Sequence, residues 1–137
     1  MNKPDIQLLQ SIVLNSRFER FENQPMEGHG YVNFQFGNNS KDCKCDKNGL
    51  LHWEAFCNLK LFNSETGKEF DPENDKMLME TSVSFLFVFK PEEALRSDDA
   101  WRGYEWFFDF HARQRLAVKL RDLLKDSEFY QIPIPGV

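Results

Sequence analysis

The sequence has little of what catalytic and metal-binding sites usually require. Only three histidines, three cysteines and seven glycines are spread over 137 residues. The glycines form no phosphate-binding loop, and there is no Gly-x-Ser-x-Gly elbow to carry a serine nucleophile. His29, His52 and His111 lie far apart along the chain. We therefore expect a protein that is not an enzyme and that uses no cofactor.

The three cysteines include one close pair, Cys43 and Cys45. A structural metal site usually needs four ligands, and the only nearby candidates to complete one are His52 and Cys57. In a strand, alternate residues point to opposite faces, so these two side chains should lie on opposite sides of their sheet. Two free thiols in a polar loop is the favoured interpretation, with a structural metal as the alternative.

Long apolar runs and concentrated positive charge are also absent from the sequence. No stretch approaches the roughly 18 apolar residues of a membrane span. The formal net charge is -5 and no run of Lys and Arg exceeds two residues, which disfavours nucleic-acid binding. The first residues, Met1 to Asp5, lack the apolar core of an export signal. We expect a cytoplasmic protein with reduced thiols and no membrane insertion.

Phenylalanine, by contrast, is abundant, with 14 residues in the chain. This is more aromatic surface than one sheet and one helix readily bury. Part of it would then lie on a binding surface or a subunit contact. The alternative is a phenylalanine-rich core with no ring exposed, and composition does not separate the two.

Four segments alternate apolar and polar residues with the period of a half-buried strand. They are Ile6–Phe21, Tyr31–Phe36, Leu50–Phe62 and Met77–Phe89, separated by polar loops at 23–30, 37–49 and 63–76. In the first segment the alternation places Ile12, Leu14, Ser16 and Phe18 on one face, with Val13, Asn15 and Arg17 among the residues on the other. The last segment is apolar on both faces in its second half, so we expect it to be covered on both sides.

One long helix is predicted after the strands. Ser97 followed by Asp98 and Asp99 resembles a helix start, with a capping hydroxyl and then carboxylates in the first turn. Helical spacing continues to about Asp126, and the prolines beyond residue 129 predict an extended tail. Strands followed by a helix favour a single α+β domain over residues 1–137, with an antiparallel sheet.

Several short strings, in their order along the chain, resemble the SecB family of protein-export chaperones. They are Ser16-Arg17-Phe18-Glu19, Val32-Asn33-Phe34-Gln35-Phe36, Leu78-Met79-Glu80, Ala112-Arg113, and Phe129-Tyr130-Gln131-Ile132 followed by Pro135. The sequence departs from the family at three places. Phe110 stands about where the family has a proline, Asn15 replaces an acidic residue, and no acidic extension follows Val137.

The resemblance implies a four-stranded sheet, a long helix and a proline-containing tail, assembled as a dimer of dimers. It implies an ATP-independent holdase that binds unfolded polypeptides, with protein export as one setting. The client groove would be lined by Phe85, Phe87, Trp106, Phe107 and Phe110. A translocase ATPase would dock at Glu19, Leu78 and Glu80.

The alternative for the groove residues is ordinary core or subunit packing. For the function, one alternative is a SecB-fold interaction protein with one dedicated folded or antitoxin-type partner. Another is a domain that binds a small ligand or catalyses a reaction.

Overall fold

The computed structural model describes residues 5–21, 29–64 and 76–127, together with 129, 131, 132 and 134. Four strands within these ranges form one antiparallel sheet with the order β1-β4-β3-β2. The strands are β1 (Ile6–Arg20), β2 (His29–Asn38), β3 (Leu51–Ser64) and β4 (Lys76–Pro91). The four predicted strands are confirmed, while positions 23–28 and 65–75 of the predicted loops lie outside the described residues.

One face of the sheet carries the core, as the alternation predicted for β3 and β4. From Leu51 to Leu61, every second residue of β3 is buried, and Thr81, Val83, Phe85, Phe87 and Phe89 of β4 share that face. The long helix α2 (Glu105–Leu124) packs on it through Phe108, Ala112, Leu116 and Leu120. We call this the helix face and the opposite side the free face.

Strand β1 corrects part of the predicted face assignment. Its pairing with β4 shifts at Leu9 and again at Leu14, where one residue is inserted in β1 with no counterpart in β4. Each such bulge reverses the alternation of side chains. Val13 therefore lies opposite Phe85 on the helix face, and Ile12 lies opposite Leu86 on the free face, the reverse of a simple period-two reading.

The predicted start of the long helix at Asp98 is also wrong. A short helix α1 (Glu93–Arg96) is followed by a 3₁₀ segment (Ser97–Tyr104), and α2 begins only at Glu105. Asp98 and Asp99 both have φ of 53°, in the left-handed region that Asp tolerates better than most residues. This change of direction lets Trp101 bury completely, edge-on to Trp53 with ring centroids 6.3 Å apart.

The tail after α2 folds back onto the core. Phe129 and Ile134 are buried, and the ring of Phe129 lies 6.4 Å from that of Phe18 on β1. The predicted tail prolines Pro133 and Pro135 lie outside the described residues. None of the helices in the described ranges has the length and apolar character that crossing a membrane requires.

Candidate functional site

The edge of the sheet formed by β2 is joined to the helical segments by polar and aromatic contacts, and we call it the closed edge. Asn38 donates a hydrogen bond from Nδ2 to Oδ1 of Asp109 at 2.9 Å. The guanidinium of Arg113 lies 4.2 Å from the centre of the Phe36 ring, a cation–π contact. These contacts join α2 to the edge strand β2.

Arg102, in the 3₁₀ segment just before α2, makes contacts on the same side of the sheet. Its Nη1 donates to the carbonyl of Ser40 at 2.8 Å, and its Nη2 donates to the carbonyl of Cys43 at 3.2 Å. The guanidinium also lies 4.4 Å from the centre of the Trp101 ring. Arg102 therefore ties the loop after β2 to the 3₁₀ segment, which packs on the core.

The opposite edge is β1, which like β2 has no further strand beside it among the described residues. We call it the open edge because its side chains are exposed. Every residue from 7 to 17 is exposed. Among the described residues ten large apolar side chains are exposed, and five of them lie here: Leu8, Leu9, Ile12, Val13 and Leu14. A long apolar edge of this kind leaves unpaired N–H and C=O groups beside apolar side chains, and it is suited to receive another strand.

A second exposed apolar surface lies on the first half of α2. Trp106 is 62% exposed and Phe110 is 56% exposed. Residues four apart in a helix are neighbours on one face, so the two rings form one patch pointing away from the sheet. Phe107 is half-buried beside them, 4.7 Å from the ring of His111 and 6.5 Å from that of Phe89.

The five residues predicted to line a groove therefore occupy three different environments. Trp106 and Phe110 are accessible, and Phe107 is partly so. Phe85 and Phe87 are 7% and 0% exposed and stack on each other with centroids 5.5 Å apart in the core. Strand periodicity identified the helix face correctly, but it carries no information on how completely α2 covers that face.

The predicted docking set is similarly divided. Glu19 and Glu80 lie directly opposite each other on β1 and β4. Each has a counter-charge: Glu19 pairs with Arg17, and Glu80 lies 3.7 Å from Nζ of Lys60. Nδ2 of Asn58 also donates to Glu80 at 3.0 Å. Leu78, in contrast, is buried in the core and does not share a surface with the two carboxylates.

The cysteines are poorly suited to nucleophilic or metal chemistry. Burial raises the pKa of Cys43 to about 11 and that of Cys57 to about 12, and burial also raises the pKa of Cys45. A thiol that stays protonated is neither a good nucleophile nor a metal ligand. Cys43 instead donates from Sγ to the carbonyl of His52 at 3.1 Å. Within the described ranges, no three His, Cys, Asp or Glu side chains group as metal ligands.

The free face contains one shallow hollow of about 260 Å³. It is lined by Asn15, Phe56, Cys57, Asn58, Ser82, Val83 and Ser84. Two amides and two hydroxyls line it together with apolar groups such as the Phe56 ring, and the lining includes no histidine or carboxylate that would serve as a general acid or base. The hollow thus offers hydrogen-bonding groups to a ligand but no acid–base group for catalysis.

Comparison with known proteins connects this geometry to one fold. No protein-family model matches the chain, and no curated protein is detectably similar in sequence. Nine chains of solved structures match it. One of them is a SecB-like chaperone of Mycobacterium tuberculosis in complex with a ChAD peptide from the HigA1 antitoxin. It has a TM-score of 0.70 and 9% sequence identity, over 96% of this chain and 90% of that chain. The protein therefore has a divergent SecB-like fold.

Proposed function

We propose that this protein is an ATP-independent holdase that binds unfolded or non-native polypeptides in the cytoplasm. The observation that carries the proposal is its exposed apolar surface, which is concentrated on the open edge and on the Trp106–Phe110 patch. Isolated apolar side chains are normal on protein surfaces, whereas contiguous ones mark interaction sites. The SecB-like fold adds support, because the similar mycobacterial chaperone was solved with a bound peptide.

Such binding relies on apolar contacts, which depend little on the amino-acid sequence of the client. An unfolded segment exposes apolar side chains, and rings such as Trp106 and Phe110 remove area from water whatever the order of those side chains. Phe107 extends this patch toward the sheet. Phe85 and Phe87 belong to the proposed groove only where α2 moves aside, because both are buried beneath it.

Suppression of aggregation tests the proposal directly. We expect the protein to slow the aggregation of several chemically unrelated, denatured clients without ATP. Replacing Trp106 and Phe110 together by Ala should weaken this protection. Val118→Ala, which removes apolar area from another exposed site on α2, is the matched control and should leave it unchanged. Clients that aggregate equally fast with and without the protein would rule out a holdase.

Coupling to export rests on a docking surface for a translocase ATPase. We propose Glu19 and Glu80 as its carboxylates; Leu78 contributes only if the core opens there. The ion pairs with Arg17 and Lys60 reduce the negative field at this site, since each neutralises one of the two acids. A double Glu19→Gln, Glu80→Gln variant should lose translocase binding in a pull-down while still protecting clients. Unchanged translocase binding would remove these carboxylates from the docking site.

A second candidate function is an interaction protein with one dedicated partner, of folded or antitoxin type. Two observations favour it: the neutralised carboxylates, and the antitoxin peptide held by the similar chaperone. Such a protein would protect one partner and leave unrelated clients to aggregate. The same assay therefore separates the two functions by the number of clients that are protected.

We also propose that the protein forms a homo-oligomer, a dimer of dimers. In the described part of the chain, the open edge and the Trp106–Phe110 patch are apolar surfaces that could form contacts between copies. Because both are also candidate client surfaces, assembly and client binding would compete for part of the same area. Sedimentation velocity with and without a denatured client measures that competition.

A further inference from the structure

The outer side of α2 has an aromatic first half and a basic second half. The aromatic half is the Trp106–Phe110 patch. From Phe110 to Arg121 the helix carries no acid and four cations, Arg113, Arg115, Lys119 and Arg121, although the chain as a whole has a formal net charge of -5. A local excess of positive charge beside exposed rings attracts partners that are both anionic and apolar.

Two of the basic residues lie on the same side of the helix as the patch. The 11 residues from Phe110 to Arg121 make about three turns, so these two side chains point in nearly the same direction, about 17 Å apart along the axis. Lys125, four residues further on, has helical backbone angles and continues this row. Arg121 and Lys125 are both exposed, and we call them the basic pair.

The basic pair has no counter-charge among the described residues. Neither member forms an ion pair there, although Asp122 and Asp126 lie close to them in sequence. The acids in the first half of α2 have partners elsewhere: Glu105 lies 3.3 Å from Nη1 of Arg102, and Asp109 accepts its hydrogen bond from β2. The basic pair is therefore available to the carboxylates of a bound molecule.

We propose that the outer side of α2 selects client segments that are acidic as well as apolar. Apolar side chains would lie on the Trp106–Phe110 patch and carboxylates at the basic pair. This preference presupposes the polypeptide binding proposed above and adds the class of client. Apolar contacts accept many sequences, whereas complementary charge favours one partner over another. In an extended client 17 Å corresponds to about five residues, which sets the spacing between its apolar and acidic side chains.

Nucleic acid and anionic membranes are less suited to this surface than an acidic polypeptide. Both present long arrays of phosphates, and their binding strengthens with each further cation that they meet. The basic pair is short, and the chain around it is acidic overall, so a long polyanion would also meet repulsion. A short client segment with a few carboxylates avoids that cost.

Three peptides of about ten residues test the preference. All carry the same two phenylalanines and, about five residues further on, either two glutamates, two lysines or two glutamines. In an anisotropy titration of labelled peptides, the glutamate peptide should bind about tenfold more tightly than the lysine peptide, with the glutamine peptide between them. Salt at about 0.5 M should reduce this ratio, because it screens exposed charges.

Substitution of the basic pair tests where the preference arises. Arg121→Glu with Lys125→Glu should reverse the order of the glutamate and lysine peptides. Lys44→Glu with Lys47→Glu is the matched control: it makes the same change in net charge at two exposed positions after β2 and should leave the order unchanged. Because cations near the end of a helix stabilise it, Arg121→Gln with Lys125→Gln is a milder variant, which should abolish the preference while the circular dichroism is retained.

The outcomes separate this preference from the holdase function. Equal affinity for the three peptides, or an unchanged order in the Arg121→Glu, Lys125→Glu variant, would overturn the preference and leave the holdase proposal standing. Failure to bind any of the peptides would overturn the preference, and the aggregation assay then decides the holdase function separately. Single-stranded DNA or phosphatidylserine vesicles that bind more tightly than the glutamate peptide would overturn the assignment to an acidic polypeptide.

Discussion

The two edges of the sheet differ in their contacts: side chains of the helical segments hold the β2 edge, whereas the β1 edge is exposed. At the closed edge, Asn38, Phe36 and the loop at Ser40–Cys43 each contact a side chain from the helical segments. At the open edge, residues 7–17 are exposed, and apolar side chains occupy both faces. Stability should therefore be concentrated on the β2 side, and association on the β1 side.

The largest expected difference between the edges comes from removing an apolar side chain. Phe36→Ala should cost about 2–3 kcal/mol of unfolding free energy, since it opens a gap beneath α2 and loses the Arg113 contact. Val13→Ala on the open edge should cost less than about 0.5 kcal/mol at low protein concentration. Urea unfolding of both variants checks this. Equal losses would contradict the division between the edges.

Two arginines provide the next comparison. Arg102→Ala should cost about 2 kcal/mol, because partly buried carbonyls of Ser40 and Cys43 lose a charged donor. Arg17→Ala removes an exposed ion pair with Glu19 and should change stability by less than about 0.5 kcal/mol. Thermal unfolding at matched concentrations distinguishes them. An Arg17 variant as unstable as the Arg102 variant would mean that β1 carries more of the fold than its exposure indicates.

The thiols give no effect near neutral pH and one that is confined to alkaline pH. Cys57 lies opposite Phe36 on the β2–β3 pair, and burial raises its pKa to about 12 and that of Cys43 to about 11, from an ordinary 9.0. A raised folded-state pKa means that the folded chain holds its proton more tightly. Stability should be constant below about pH 9 and fall as the pH rises toward 11–12. Cys57→Ala should flatten the later part of this decline. If stability falls with pH as it does in the unsubstituted protein, the Cys57 thiol is not the cause.

The smallest effect concerns the turn that brings Arg102 to the closed edge. Asp98 has φ of 53°, which strains any residue with a Cβ atom. Asp98→Gly should raise the unfolding free energy by about 0.5 kcal/mol, since glycine's greater freedom in the unfolded chain offsets part of the relief. Asp98→Ala is the control and should lower it. A destabilised glycine variant would indicate that the aspartate side chain itself holds the turn.

Much of this fold could be predicted from the sequence, and the failures have physical causes. Alternation identified all four strands and the buried face of β3, because burying one face imposes a period of two. It missed the bulges at Leu9 and Leu14, since an inserted residue leaves no compositional mark. The Ser97-Asp98-Asp99 string resembles a helix start, yet the chain takes a left-handed turn there and Trp101 is buried.

The candidate site was less predictable than the fold. Nothing in a strand pattern distinguishes Phe87, which is completely buried, from a ring that lines a groove. The sequence pattern does not predict the exposure of Leu8 and Leu9, because that exposure follows from the position of β1 at the edge of the sheet. Strand order is a property of the whole chain, so a local pattern cannot reveal it.

The three tryptophans have a consequence for spectroscopy. Trp53 and Trp101 are completely buried, and in the described part of the chain neither indole N–H finds a hydrogen-bond partner, whereas Trp106 is 62% exposed. Their emission should thus fall into two populations, a blue-shifted one inaccessible to iodide and a red-shifted one that iodide quenches. Contact at the Trp106–Phe110 patch would shift only the second population. Trp106 would therefore report binding at the patch without a label, while Trp53 and Trp101 report folding.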